Sequence, residues 1–299
     1  MSVSMSDRFS SRLKTVYEAP EPFRSALLQH LSPLYDVRLL VWGPASKSMR
    51  SKSPATLLAL TNQGWIVVSE AQNNNTVVAY FDFANTLLIE LTCILLYGRL
   101  KIDYLAENRV QFISIEFNTV MQKLYQEAVQ LLLEGMDDMS SVVSVEDKDA
   151  NLMLDILPFK FRSVILDFSP KSQIILSMVH LPAVIQGRNR WIQRELYPQA
   201  VLLLTERELM LVSEEKTRSW FRSRCMIKYG QIVTYCPLLR MESFKLLKNQ
   251  QIGALDIEIC SQQCSEKLLI NFPSDKESEV SGFMERAMQQ KTTVRYDTQ

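Results

Sequence analysis

Leu60-Thr61-Asn62-Gln63-Gly64-Trp65-Ile66-Val67-Val68-Ser69-Glu70 and Leu204-Thr205-Glu206-Arg207-Glu208-Leu209-Met210-Leu211-Val212-Ser213-Glu214 are the stretches whose reading decides the fold. The Leu, the Thr, the last Val, the Ser and the Glu are identical, and the apolar positions between them match in type. Each stretch ends one apolar run, crosses a short polar turn and begins another, which is the pattern of a β-hairpin. A hairpin that occurs twice in this form predicts that a whole unit has been repeated.

Further matches lie on both sides, in the same order. Upstream, Phe23-Arg24-Ser25-Ala26-Leu27-Leu28 returns as Phe161-Arg162-Ser163-Val164-Ile165-Leu166. Ser32-Pro33 returns as Ser169-Pro170, and each pair leads into an apolar segment, 37–42 and 174–179. Downstream, Gly98-Arg99-Leu100-Lys101-Ile102-Asp103-Tyr104 resembles Gly253-Ala254-Leu255-Asp256-Ile257-Glu258-Ile259, and both alternate as half-buried strands do. One more strand follows in each, at 110–115 and 267–272. The period then changes from 2 to 3.6. Val120, Leu124, Ala128 and Leu131, with Met121, Tyr125 and Leu132 beside them, predict a first helix capped by Asn118. Val280, Phe283, Met284, Ala287 and Met288 predict a second, opened by a capping box at Ser274-Asp275-Lys276-Glu277. The offset between copies grows from about 138 to about 156 positions, so the second copy has the longer loops. Between the copies, 135–150 carries Asp137, Asp138, Glu146, Asp147 and Asp149. It reads as a linker, or a linker plus a short helix into Leu152, Met153 and Ile156.

The predicted class is α+β, mainly β: two repeated bent β-barrel or sandwich units, each with a C-terminal capping helix. A single antiparallel sheet of six or seven strands must curl or pack to hide its apolar face. The boundaries are an N-terminal basic amphipathic segment (1–20), a first domain (21–135), a linker (136–157), a second domain (158–290) and a tail (291–299). In the first segment Phe9, Leu13, Val16 and Tyr17 form a helical stripe, with Arg8, Arg12 and Lys14 off it and Pro20 and Pro22 ending it.

The hairpin at 202–213, apolar-apolar-Thr205-x-Arg207-x-apolar, resembles that of bacterial pleckstrin-homology-like domains and of the related GRAM-type domains. The first copy has Gln63 where Arg207 stands in the second. The resemblance covers most of both halves. It implies a seven-stranded bent barrel capped by a helix, used for binding and assembly, with no shared catalytic residues.

Composition narrows the function classes. Lys+Arg and Asp+Glu balance at 33 each, so no overall field recruits nucleic acid, and an electrostatic partner must find a local patch. Eight glycines, none in a phosphate-loop motif, argue against nucleotide cradling. Five cysteines, an odd number, read as reduced thiols and predict a cytoplasmic setting, with peripheral membrane attachment as the other. The first fourteen residues hold no apolar core of signal-peptide length, although their Ser and Arg content leaves a transit peptide as a lesser alternative. The apolar run 86–97 carries Glu90 and is too short to span a bilayer.

No catalytic residue, metal ligand or cofactor site emerges. His30 and His180 stand in apolar surroundings and read as structural. Cys260 and Cys264, with Cys225 or Cys236, lack zinc-site spacing. Asp103 and Asp256 read as solvated strand-face residues.

Three basic clusters are the candidate ligand-binding residues. Lys47, Arg50 and Lys52 lie in the loop between the first strand and the hairpin, and Arg188, Arg190, Trp191 and Arg194 lie at the equivalent place in the second copy. In eukaryotic pleckstrin-homology domains this loop receives anionic headgroups, though with tighter Lys/Arg spacing. Lys216, Arg218, Trp220, Phe221, Arg222, Arg224 and Lys228 form the third. Cations interleaved with aromatics suit an anionic membrane surface or an acidic protein partner, and a solvated loop has the same composition. The function expected is a non-catalytic scaffold that binds a protein partner or itself. The alternative is a peripheral protein on an anionic membrane.

Overall fold

The computed structural model describes residues 9–32, 34–47, 52–71, 75–136, 154–170, 173–189, 192–215, 230–248, 252–261 and 264–297. The protein is mainly β and divides into two compact units, residues 1–107 with 111–138 and residues 108–110 with 139–299.

In the first unit a strand fragment, β1 (Ser11–Arg12), and a short helix, α1 (Phe23–His30), precede β2 (Val37–Gly43). A small ribbon follows, β3 (Ser46–Lys47) with β4 (Lys52–Ser53). The strands β5 (Thr56–Thr61), β6 (Gly64–Glu70) and β7 (Thr76–Asp82) complete an antiparallel sheet in the order β1-β2-β5-β6-β7. After a 3-10 turn at Phe83–Asn85 come β8 (Thr86–Ile94), β9 (Tyr97–Ala106) and β10 (Arg109–Asn118), antiparallel neighbours in turn, and then α2 (Gln122–Met136). Every residue of β5 and the first five of β6 are buried. A sheet covered on both faces needs a continuous apolar run rather than alternation. One face holds Leu40, Leu57, Ala59, Ile66 and Val68 beneath Phe23 and Leu27 of α1. The alternate set, Leu39, Val41, Leu58, Leu60, Trp65 and Val67, is equally buried, and α2 lies against β5, β6 and β8.

The second unit runs through α3 (Phe159–Phe168), β11 (Ile175–Leu181), the ribbon β12 (Val184–Asn189) with β13 (Ile192–Tyr197), β14 (Ala200–Thr205), β15 (Glu208–Glu214) and β16 (Gln231–Pro237). A 3-10 turn at Leu238–Arg240 leads to β17 (Met241–Lys248), β18 (Ile252–Ser261), β19 (Cys264–Pro273) and α4 (Glu277–Asp297). β11, β14, β15 and β16 pair antiparallel in that order, as do β17, β18 and β19. Val280, Phe283, Met284 and Ala287 of α4 are fully buried, as the periodicity requires.

Local devices recur at the places the sequence matches. Thr61 Oγ1 accepts from the amides of Gln63 and Gly64 and donates to the Gly64 carbonyl at 3.0 Å. Thr205 Oγ1 does the same for Arg207, Glu208 and the Glu208 carbonyl at 3.1 Å. This is why the hairpin needs a Thr there: the hydroxyl closes a turn whose buried backbone groups have no ladder partner. The 3-10 turn after each four-strand run bonds back to that hairpin, Phe83 N to Gln63 O and Leu238 N to Arg207 O. Register slips fall between Val37 and Leu39 in β2 and between Ile175 and Ser177 in β11. Further slips fall between Thr86 and Leu88 in β8 and between Met241 and Ser243 in β17. Gly98 lies under the Phe117 ring and Gly253 under the Phe272 ring, where a Cβ would stand 2.3 Å from a ring carbon in either case.

Several expectations from the sequence need correction. Residues 9–17 are not a helix: Ser11 and Arg12 pair with Trp42 and Val41, Leu13 N donates to Leu40 O, and only Val16–Glu18 turn as 3-10. A short isolated helix is marginal in water, and the edge of β2 offers backbone partners instead. Leu13 and Val16 still pack on the core, while Tyr17 is exposed. Ser274 makes no capping bond, because Ser274–Lys276 form a 3-10 turn behind Pro273. The segment 291–299 is no tail, since α4 continues to Asp297 and buries Lys291 against the Met241 carbonyl. Asn118 does cap, its side chain accepting from Val120 N. The buried stripe of α2 is Tyr125, Ala128, Val129, Leu132, Leu133 and Met136, turned from the expected one, so Val120 is exposed. Asp103 and Asp256 are not solvated. Asp103 is buried with Lys101 Nζ 2.7 Å away, and Asp256 is half-buried beside Lys267 Nζ at 3.0 Å.

Candidate functional site

The segment between first strand and hairpin, read as a loop, is a two-stranded ribbon in each unit. Lys47 of β3 stands opposite Lys52 of β4 in register, and Arg50 lies outside the described residues. Arg194 of β13 stands opposite Gln186 of β12, Arg188 lies further along β12, and Arg190 and Trp191 fall outside. The third cluster, Lys216, Arg218, Trp220, Phe221, Arg222, Arg224 and Lys228, lies outside the described residues. The structure thus brings Lys47 and Lys52 together, and Arg188 and Arg194 onto one ribbon.

A cleft of about 530 Å³ opens beside β2 in the first unit. Arg12, Lys14 and Arg38 line it, with Glu127 of α2, which pairs with Arg12. Arg12 and Lys14 are the cations expected on an N-terminal helix, and Arg38 of β2 is a residue that the sequence reading does not single out.

Buried polar groups elsewhere support the hairpins. Glu208 accepts from Gln173 Nε2 at 2.8 Å, and its carboxylate lies 2.9 Å from Thr205 Oγ1, whose one proton it shares with the Glu208 carbonyl. Glu214 accepts from Gln199 Nε2 at 2.7 Å and from Lys160 Nζ at 3.0 Å, and Lys160 also reaches the Gly230 carbonyl. Lys160 therefore holds the end of β15 and the residue before β16 together. Such shared bonds make burial of charge tolerable.

The titratable groups are set by burial. The Cys93 thiol is pushed up to about 12 and the Cys236 thiol higher, so both stay protonated and are poor nucleophiles. Burial raises the Asp103 carboxyl, opposed by the Lys101 hydrogen bond and charge. Burial lowers His180, opposed by a hydrogen bond to Gln199. Its ring lies 5.8 Å from that of Phe161, and Nε2 is buried without a partner. His30, read as apolar, is exposed at the end of α1, 6.5 Å from the Tyr80 ring. Tyr80 in turn shares a hydrogen bond with Tyr35 and donates to Asp82 at 3.3 Å. Cys260 and Cys264 fall on opposite faces of their hairpin, because Cys264 stands across from Ser261 and Cys260 from Ser265. Among the described residues no three of His, Cys, Asp and Glu stand close enough to hold a metal, and no helix is long and apolar enough to cross a membrane.

No protein-family model matches this chain, and no curated protein matches it.

Proposed function

We propose that this chain is a non-catalytic interaction protein built from two units of one pleckstrin-homology-like fold, and that it mediates protein assembly. The observation that carries this is the recurrence of one succession of elements: short helix, strand, cation-bearing ribbon, three strands, 3-10 turn, three strands, helix. Four strands, then three, then a closing helix is the order that the hairpin resemblance implies. The shared Thr turns, register slips and Gly–Phe contacts support common descent of the two units, since none is demanded by composition alone. The buried carboxylates and lysines are engaged in bracing strands, which suits a scaffold. Sedimentation velocity of the purified chain over two orders of magnitude in concentration tests the reading. Growth in mass with concentration is expected for self-assembly. A strict monomer with no partner recovered by cross-linking in its native cells would overturn it.

A second reading is favoured by the cations on the equivalent ribbon of both units: attachment to an anionic membrane surface, where each nearby cation contributes about 1 kcal/mol. Cosedimentation with anionic vesicles, weakened by salt, is its test.

A further inference from the structure

The hairpin joining β8 to β9 turns on two residues, Leu95 and Leu96, between the paired Ile94 and Tyr97. Both leucines are about two-thirds exposed, at 67% and 68%. Leu95 has φ 52°. Only three described non-glycine residues have positive φ, and the other two, Glu107 and Asn108, are polar residues of the kind expected in turns. A bulky Leu there is strained, and hairpins normally place Gly or Asn in such a position. At the corresponding place of the second sequence copy, the residues between β17 and β18 are Asn249-Gln250-Gln251. A polar or Gly-containing pair would relieve the strain of this turn, so folding does not call for two leucines there. Strain together with exposure at a tip points to function.

The surroundings of the tip say what it meets. Thr119 donates twice to it, from its amide to Leu96 O at 3.3 Å and from its hydroxyl to Leu95 O. Both tip carbonyls are therefore satisfied without water, as a group entering hydrocarbon requires. Val120, next in the chain, is 68% exposed, and Tyr97, at the base, donates its hydroxyl to Glu116. The tip carries no charge. An exposed tip of Leu, Leu and Val, with the Tyr97–Glu116 pair at its base, has the chemistry of a bilayer interface, where apolar side chains insert and aromatic and polar groups sit at headgroup level.

We propose that the Leu95–Leu96 tip, with Val120, inserts into the interface of a lipid bilayer. The proposal rests on the membrane reading above but needs no anionic lipid.

The test uses the full chain and vesicles of phosphatidylcholine alone, in high salt, which silences the ribbon cations. The variant L95G/L96S suits the turn better than the native pair, and its Tm checks folding. The expected result is that the wild-type chain cosediments with these vesicles. The variant, with Tm unchanged or raised, should partition at least about a hundredfold more weakly, given the transfer free energy of two leucines. Binding equal in both proteins overturns the proposal. Binding of the wild-type chain only to anionic vesicles in low salt also overturns it and leaves the ribbon reading standing. Absence of binding in either lipid overturns both. Self-association abolished by the same variant, without vesicle binding, overturns it in favour of a protein contact.

Discussion

Gly98 and Gly253 show how a single absent methyl group holds a strand pair together. Each lies where a Cβ would meet a phenylalanine ring from the following strand at 2.3 Å. Phe272 is almost fully buried and Phe117 nearly so, so the rings have little room to retreat. Gly253→Ala should therefore destabilise by about 1–3 kcal/mol in urea unfolding. Adding Phe272→Leu should recover part of that loss, and strict additivity of the two would show that the ring is not the cause. His180 makes a different residue-scale point. Its folded pKa lies below the ordinary 6.5, chiefly through burial. The folded state thus holds the proton less tightly than the unfolded chain. The stability this contributes is present above about pH 6.5 and is lost as pH falls through the folded value. The urea midpoint should drop between neutral and mildly acid pH, and His180→Gln should flatten that drop. An identical slope in the variant would remove His180 as its source.

At the scale of elements, the β3–β4 and β12–β13 ribbons convert what the sequence presents as basic loops into ladders with defined register. A backbone held in a ladder loses less entropy on binding than a free loop does. Reversing Arg188 and Arg194 to Glu should weaken cosedimentation with anionic vesicles by well over tenfold, at about 1 kcal/mol per cation lost and a comparable repulsion gained. Binding that survives this change unaltered would leave the ribbon as ordinary surface. The matching segments 23–28 and 161–166 lie in α1 and α3, which bury Phe23 and Leu27 in one and Phe161, Val164 and Ile165 in the other. The N-terminal stripe had helical spacing and became a strand fragment with a 3-10 turn. Periodicity records which side chains are apolar and is silent about a neighbouring strand edge that competes for the backbone.

At the scale of the whole molecule, positive and negative charges cancel, so the net field selects no class of partner. The assembly test belongs here: mass that rises with concentration, at constant salt, is expected if apolar surface rather than charge drives self-association. Loss of that rise on adding salt would instead assign it to the basic clusters.

What the sequence by itself determined is a mainly β chain with its hairpins, Gly-led strands and closing helices, because each leaves a local pattern of period, turn residue and cap. Asn118 as a cap and the buried face of α4 were readable for the same reason: both depend on neighbours within a turn or two. Tertiary structure alone decided the fate of the polar residues. Asp103 reads as a solvated acid in sequence, yet it is buried against Lys101, and the buried Glu208 and Glu214 are met by Gln173 and Lys160. Tertiary structure alone also decided which apolar residues stay outside. Leu95 and Leu96 belong to the apolar run 86–97 and Val120 to the expected helix face, and all three are exposed. Burial and partnership are set by residues distant in the chain. Backbone strain likewise becomes visible only once a turn has its dihedral angles.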